Sequence, residues 1–219
     1  MGANMARRLK DCGYEVTAVY DLYAPVSEAI AAELGAKHCT HLPDVTAAAD
    51  VIFTVVTNDE SMRGIFLQGE DTLLKDAAGK IFINCATVTP HIHREVFAAA
   101  QAAGAHSLEA SMASSISQAR EGKLYLMLAG DEGIYKQVQR IIEDLSINRR
   151  FIGGPGKAAE VKALVNMVMN INTAGLAEGH RAHDHEVGHV RCHEHPQEGH
   201  HAAAVQADHQ RADGEHHTL

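Results

Sequence analysis

The chain has 219 residues, 46% of them hydrophobic, and a formal charge of -9 with histidine neutral. That length holds one good-sized domain and part of another. The acidic balance argues against a nucleic-acid or anionic-membrane partner, which would want a basic patch, and no apolar run approaches the roughly 18 residues of a membrane span.

The first segment, MGANMARRLKDC, reads as a helix with Met5, Leu9 and Cys12 on one face and Gly13 as its stop. Tyr14 to Tyr20 is a β-branched run that ends at Asp21. Val26 to Leu34 is helical and closed by Gly35. A short strand near Lys37 to Cys39 and a helix near Asp44 to Ala49 follow. Val51 to Val56, VIFTVV, is apolar without alternation, the mark of a strand covered on both faces. Asp59 to Leu67 is helical and Lys80 to Asn84 is a second buried strand. Pro90, tolerated in a first turn, opens a helix to Ala103. Strands are expected at His106 to Glu109, Leu124 to Met127 and Arg150 to Ile152, with a helix over Gly133 to Leu145. Strands alternating with helices mean βαβ units and a mostly parallel sheet.

Gly153-Gly154-Pro155-Gly156 breaks the pattern, and a long helix runs from about Ala158 to Ala177. Val161, Leu164, Val165, Val168 and Ile171 form its apolar stripe. Lys162, Asn166, Asn170 and Thr173 fall on an adjacent polar face. From His180 the composition changes. Eleven of the 16 histidines lie there, with no aromatic residue. So little apolar surface is expected not to offset the entropy of ordering the segment.

The chain begins at Met1 without an apolar signal sequence, and Cys12, Cys39, Cys85 and Cys192 form no CxxC. Both features fit a cytoplasmic protein with reduced thiols.

Two patterns carry chemistry. Gly2 opens the first helix, and Asp21 ends the next strand 19 residues on. In a dinucleotide fold the glycine lets pyrophosphate approach a helix N-terminus, and the acid takes the ribose hydroxyls. Asp21 would also repel a 2′-phosphate, which favours NAD over NADP. A plain helix start and a strand-end Asp remain the bland alternative. Lys162 and Asn166, one turn apart after a Gly-rich break, can face one cleft. There the Lys can move a hydroxyl proton and the Asn can position it. A solvated helix face is the alternative.

These segments together resemble the β-hydroxyacid dehydrogenase family, which includes 3-hydroxyisobutyrate dehydrogenase and tartronate semialdehyde reductase. MGANMARRLKDCGYEVTAVYD is similar to the end of its GLGxMGxxMAxNL signature and the strand after it. INCATVTP resembles its DxSTxSP loop, with Asn84 in place of Asp. LEASMASSISQAREGKLYLMLAGD resembles its DAPVSGGxxGAxxGTLTxMxGG stretch. GPGKAAEVKALVN resembles its Gly-rich turn and KxxxN helix.

The resemblance implies reversible hydride transfer between a 3-hydroxy acid and NAD, with NADP the less favoured cofactor. It implies Lys162 as general acid/base and Asn166 as its positioning partner. Gly2, Asp21, Val56, Thr57, Asn58 and Thr87 would hold the cofactor, Thr87 beside the nicotinamide. Ala113, Ser114 and Ser115 would form the substrate-carboxylate loop, where the family has Ser-Gly-Gly. The implied fold is a Rossmann-type doubly wound, mostly parallel sheet lacking its first strand, over residues 1–154. A long interdomain helix over 155–179 and a His-rich segment over 180–219 follow.

The family's own first strand and helical domain have no counterpart here. The helical domain closes the site and mediates dimerisation in the family, so a homo-oligomer does not carry over. A chain truncated at both ends, with a shifted reading frame after Gly179, is the expectation, and a native His-rich tail is its rival. In that rival, His183-Asp184-His185, Cys192-His193-Glu194-His195 and His200-His201 would take Zn²⁺ or Ni²⁺. The fixed geometry that a site requires is not expected there, so no metal ligands are assigned. A dinucleotide-binding remnant without turnover is the alternative to an active enzyme.

Overall fold

The computed structural model describes residues 1–193, with side chains as far as residue 183. The elements run α1 (Gly2–Asp11), β1 (Ala18–Val19), α2 (Ala24–Leu34), β2 (Lys37–His38), α3 (Leu42–Ala48), β3 (Val51–Thr54) and α4 (Asp59–Phe66). They continue with β4 (Ile81–Asn84), α5 (Pro90–Ala102), β5 (His106–Met112), α6 (Ile116–Glu121), β6 (Leu124–Gly130), α7 (Glu132–Leu145), β7 (Ser146–Gly153) and α8 (Lys157–His193).

Five strands form one sheet in the order β3-β4-β5-β6-β7, and β1 pairs with β2 in a second, two-stranded sheet. All the ladders are parallel except β5 against β6. Helices cover both faces of the large sheet. Met5 and Leu9 of α1 pack with Ile83, Leu108, Leu126 and Leu128 on one face. Met62, Phe66, Ile92 and Val96 pack with Ile52 and Phe82 on the other. Both faces of β4 are therefore buried, which is why KIFIN shows no alternation.

The structure departs from the sequence reading in four places. The expected strand over Tyr14 to Tyr20 shrinks to Ala18–Val19, because β1 finds a ladder only with the two-residue β2. The strands β5, β6 and β7 are each longer than expected, since pairing with neighbours extends them past their most apolar residues. A short helix, α6, lies inside the stretch read as a loop motif. It starts on a capping box in which Ser115 and Gln118 satisfy each other's backbone N–H groups.

The fourth departure concerns α8. Of its apolar stripe only Val161 and Val165 pack inward, against Met127, Ala129 and Ala158. Leu164, Val168 and Ile171 are exposed. The helix also continues past the expected boundary at His180 as far as His193. The remainder of the His-rich segment, including the proposed ligands Glu194, His195, His200 and His201, lies outside the described residues.

Met1–Ile171 form one compact unit, and the chain from Asn172 forms a second. Among the described residues no helix is long and apolar enough to cross a membrane, and no three His, Cys, Asp or Glu side chains cluster to hold a metal ion.

Candidate active site

The parallel strands β3 and β4 end side by side, with Thr54 opposite Asn84. Ligands in open α/β sheets bind beyond such carboxyl ends, where the loops can close on them. A buried polar chain fixes this edge. Thr54 Oγ1 donates to Asn84 Oδ1 at 2.7 Å, and Asn84 Nδ2 donates to Ser107 Oγ at 2.8 Å. The amide at residue 84 serves one neighbour as acceptor and the other as donor, so each of its polar atoms has a partner where the family has Asp.

The loop after β3 carries Thr57, Asn58 and Asp59. Asn58 caps α4 by accepting from Ser61 N at 2.8 Å. The loop after β4 carries Thr87, Val88 and Thr89, and Thr89 caps α5, with Pro90 in its first turn. Asp59 ties the two loops together. Its carboxylate accepts from Thr89 N at 2.8 Å and from Thr89 Oγ1 at 2.5 Å. Burial alone would raise the Asp59 pKa, but the two Thr89 bonds and the nearby Arg63 win and lower it.

The third wall is α8. Its start is anchored by Glu109 on β5, a buried carboxylate that accepts from the backbone N–H of Gly156 and, at 3.1 Å, from that of Ala159. A negative group at a helix N-terminus satisfies orphan donors and complements the dipole. Gly156 has φ +88, and an added Cβ would lie within 2.9 Å of the Arg94 guanidinium. The positive φ favours glycine there, while the Arg94 side chain could swing aside. Arg94 pairs with Glu160, which also binds Lys157 at 2.8 Å. Thus α5 and the first turns of α8 are clasped together.

These walls enclose a cleft of about 520 Å³, within the usual range for small-molecule sites. Thr57, Asn58, Thr87, Lys162 and Asn166, all singled out from sequence, line it. Asp59, Val88, Thr89, Pro90, Ser111, Ala159 and Ala163 complete the lining. Lys162 is half-buried, and desolvation lowers its pKa from the ordinary lysine value. Among the described residues it has no carboxylate partner within ion-pair distance.

The other sequence-selected residues lie apart from this lining. Gly2 begins α1 against Val55 at the exit of β3, with no side-chain cap on the first-turn N–H groups. Val56 continues the same exit and packs against the Phe82 cluster. Asp21 is exposed just past β1 and accepts from Tyr23 N at 2.9 Å. The substrate loop is partly committed to the fold. Ser114 Oγ accepts from Tyr125 N at 2.8 Å, Ser115 caps α6, and Ala113 packs against the cluster of Met127, Ala129 and Ala158.

Sequence reasoning passed over Glu109, Asp59 and Ser111. Strand parity could have found Ser111, since it shares a side of β5 with Glu109 once Leu108 and Ala110 are placed in the core. Nothing local signals the Asp59–Thr89 tie, which joins residues thirty positions apart.

Residues 1–153 match the family model described as the NAD binding domain of 6-phosphogluconate dehydrogenase. The chain belongs to this family. It is 30% identical over 179 residues to a 3-hydroxyisobutyrate dehydrogenase of Pseudomonas aeruginosa, covering 81% of this chain and 59% of that one. An NAD-dependent L-serine dehydrogenase of the same organism is 27% identical over 178 residues, with coverage of 81% and 59%. Among solved structures, Mycobacterium tuberculosis 3-hydroxyisobutyrate dehydrogenase with L-serine superposes with a TM-score of 0.75 at 27% identity. The match covers 82% of this chain and 60% of that one. The chain thus spans about three fifths of the length of these relatives.

Proposed function

We propose that the protein catalyses reversible hydride transfer between a 3-hydroxy acid and NAD, with Lys162 as general acid/base. The observation that carries this reading is the single cleft at the ends of β3 and β4 that brings Lys162 and Asn166 together with Thr57, Asn58 and Thr87. The cofactor class fits the residues present. The uncapped N-terminus of α1 offers backbone N–H groups to pyrophosphate beside the β3 exit. The exposed Asp21 carboxylate, just past β1, suits ribose hydroxyls and opposes a 2′-phosphate. We therefore favour NAD over NADP.

When bound, the nicotinamide supplies the hydride acceptor. The chain supplies the proton path and the placement. Lys162 Nζ, as the neutral amine, takes the proton of the substrate's 3-hydroxyl while the carbon–oxygen double bond forms and hydride leaves carbon 3. In the reverse direction the ammonium returns that proton to the carbonyl oxygen. Desolvation lowers the Lys162 pKa and makes the neutral amine more accessible near pH 7. Asn166, one turn along α8, holds the hydroxyl or the amine in line. Ser114 has a hydroxyl proton left to donate to the carboxylate, and Ala113 and Ser115 shape the loop around it. Among the described residues, Cys12, Cys39 and Cys85 carry free thiols, which suits a reducing, cytoplasmic setting.

A second reading, cofactor binding without turnover, has one observation in its favour. Leu164, Met167, Val168 and Ile171 are exposed on the helix that carries Lys162, and hydride chemistry requires a site closed to water. NADH fluorescence separates the two, and the absence of Trp removes protein emission that would interfere. The proposal expects saturable NADH binding and reduction of NAD by at least one 3-hydroxy acid. Binding with no turnover on any hydroxy acid supports the second reading.

A further inference from the structure

We infer that Ser111 is a specificity-determining residue that hydrogen-bonds a polar substituent on carbon 2 of the substrate. It favours 3-hydroxy acids bearing an ammonium or hydroxyl there over those bearing methyl. This inference rests on the dehydrogenase reading above.

Ser111 lies on β5 and is 1% exposed. Its neighbours Leu108 and Ala110 turn into the α1/α7 core, so Glu109 and Ser111 turn to the opposite side, where Glu109 meets the start of α8. Ser111 lines the cleft with Lys162 and Asn166. Yet its Oγ has no hydrogen-bond partner, one of very few buried polar atoms so placed among the described residues. The others are the ring nitrogens of His93, which does not line the cleft.

A buried hydroxyl without a partner is unfavourable, and native structures almost always satisfy such groups. Ser111 itself borders the cleft, so a ligand seated against it is the nearest possible partner for that hydroxyl. A ligand group that reaches it recovers the missing bond, whereas a methyl group leaves it unpaired. A 3-hydroxy acid presents three features to the site. Lys162 and Asn166 take the 3-hydroxyl, and the loop at Ser114 is set to take the carboxylate. The substituent on the carbon between them is left for the remaining wall, where Ser111 is the lining residue with a buried hydroxyl that has no partner. A hydroxyl can accept from an ammonium, and can donate to or accept from an alcohol, so both substituents are served.

The test compares kcat/KM for serine and glycerate with that for 3-hydroxyisobutyrate, each as both enantiomers, in the full chain and in Ser111→Ala. The expected wild-type preference is at least tenfold for serine or glycerate. Ser111→Ala should lower kcat/KM for the polar substrate about tenfold and leave 3-hydroxyisobutyrate within twofold. The NADH dissociation constant should stay within twofold. Because the hydroxyl has no partner without substrate, the ligand-free Tm of Ser111→Ala should equal or exceed that of the wild type. Equal losses on all substrates, no loss on any, or a fall in the ligand-free Tm overturns the role. A wild-type chain that oxidises none of these acids overturns the dehydrogenase reading and this inference with it. A chain that oxidises 3-hydroxyisobutyrate as well as it does serine and glycerate overturns only the inference.

Discussion

The buried carboxylate of Glu109 accepts a hydrogen bond from the backbone N–H of Gly156, and through it β5 fixes the start of the helix that carries Lys162. Burial pushes the Glu109 pKa up, and the backbone bonds from Gly156 and Ala159 pull against that shift. The anchor makes a direct prediction. Glu109→Ala leaves two N–H groups at the helix entry without their acceptor, at about 1–3 kcal/mol for a buried unsatisfied donor. Urea denaturation should show a loss of that order. Glu109→Gln, which keeps one acceptor oxygen, should lose less. Equal stability of all three chains would mean that the helix start is held by the Arg94–Glu160 clasp alone.

A second prediction concerns Asn84, which is fully buried between Thr54 and Ser107. Asn84→Ala strands both hydroxyls and opens a small void, so a loss of roughly 2–5 kcal/mol is expected from two unsatisfied groups. Asn84→Asp can accept from both hydroxyls but buries a charge when ionised. Such a carboxyl has a raised pKa in the folded state. Its stability is therefore full at low pH and lost as pH rises through the folded value. Asn84→Asp should be closer to wild type at pH 5 than at pH 8, as read by the urea midpoint.

The third prediction is acid sensitivity from His93 on α5. This side chain is 1% exposed, and neither ring nitrogen makes a hydrogen bond of good geometry. Burial lowers its pKa to about 4, with the Asp59 carboxylate and the Ala86 backbone pulling the other way. Above the ordinary value of about 6.5 the ring is neutral in both states and costs nothing. As pH falls from there, the unfolded chain takes up the proton first. Stability is lost down to about pH 4, by roughly 3 kcal/mol for a shift of this size. The difference in unfolding free energy between wild type and His93→Leu isolates this contribution. It should move against the wild type as pH drops from 7 to 4. A difference that does not change with pH would show that His93 has the same pKa in the folded and unfolded chain.

The fourth concerns cofactor choice. Asp21→Ala should shift the ratio of NADH to NADPH affinity towards NADPH by roughly fivefold, the scale of one like-charge contact of about 1 kcal/mol in water. Fluorescence titration of both nucleotides reads the ratio directly. An unchanged ratio would mean that Asp21 does not meet the ribose.

Much of the site was legible because its signals are local. The Lys162–Asn166 spacing fixes both side chains on one helical face, and the unbroken run KIFIN, read as a buried strand, holds the fully buried β4. What escaped notice depends on pairing between distant segments. Glu109 read as the end of a strand, and only the approach of Gly156 makes it a helix anchor. Ser114 and Ser115 read as substrate groups, whereas Tyr125 and the first turn of α6 already use their hydroxyls as acceptors. The α8 stripe told only part of its packing for a related reason. Periodicity marks an apolar face but not how far along the helix a partner reaches, and here the cluster with Met127 engages Val161 and Val165 and leaves Leu164 exposed.

The most direct test of the central claim is one residue deep. NADH affinity and the rate of NAD reduction by a 3-hydroxy acid should be measured side by side in the wild type and in Lys162→Ala. The account predicts that the substitution abolishes turnover while the NADH dissociation constant stays within a few fold, because Lys162 moves a proton and does not hold the cofactor. Substantial residual turnover in Lys162→Ala would contradict it.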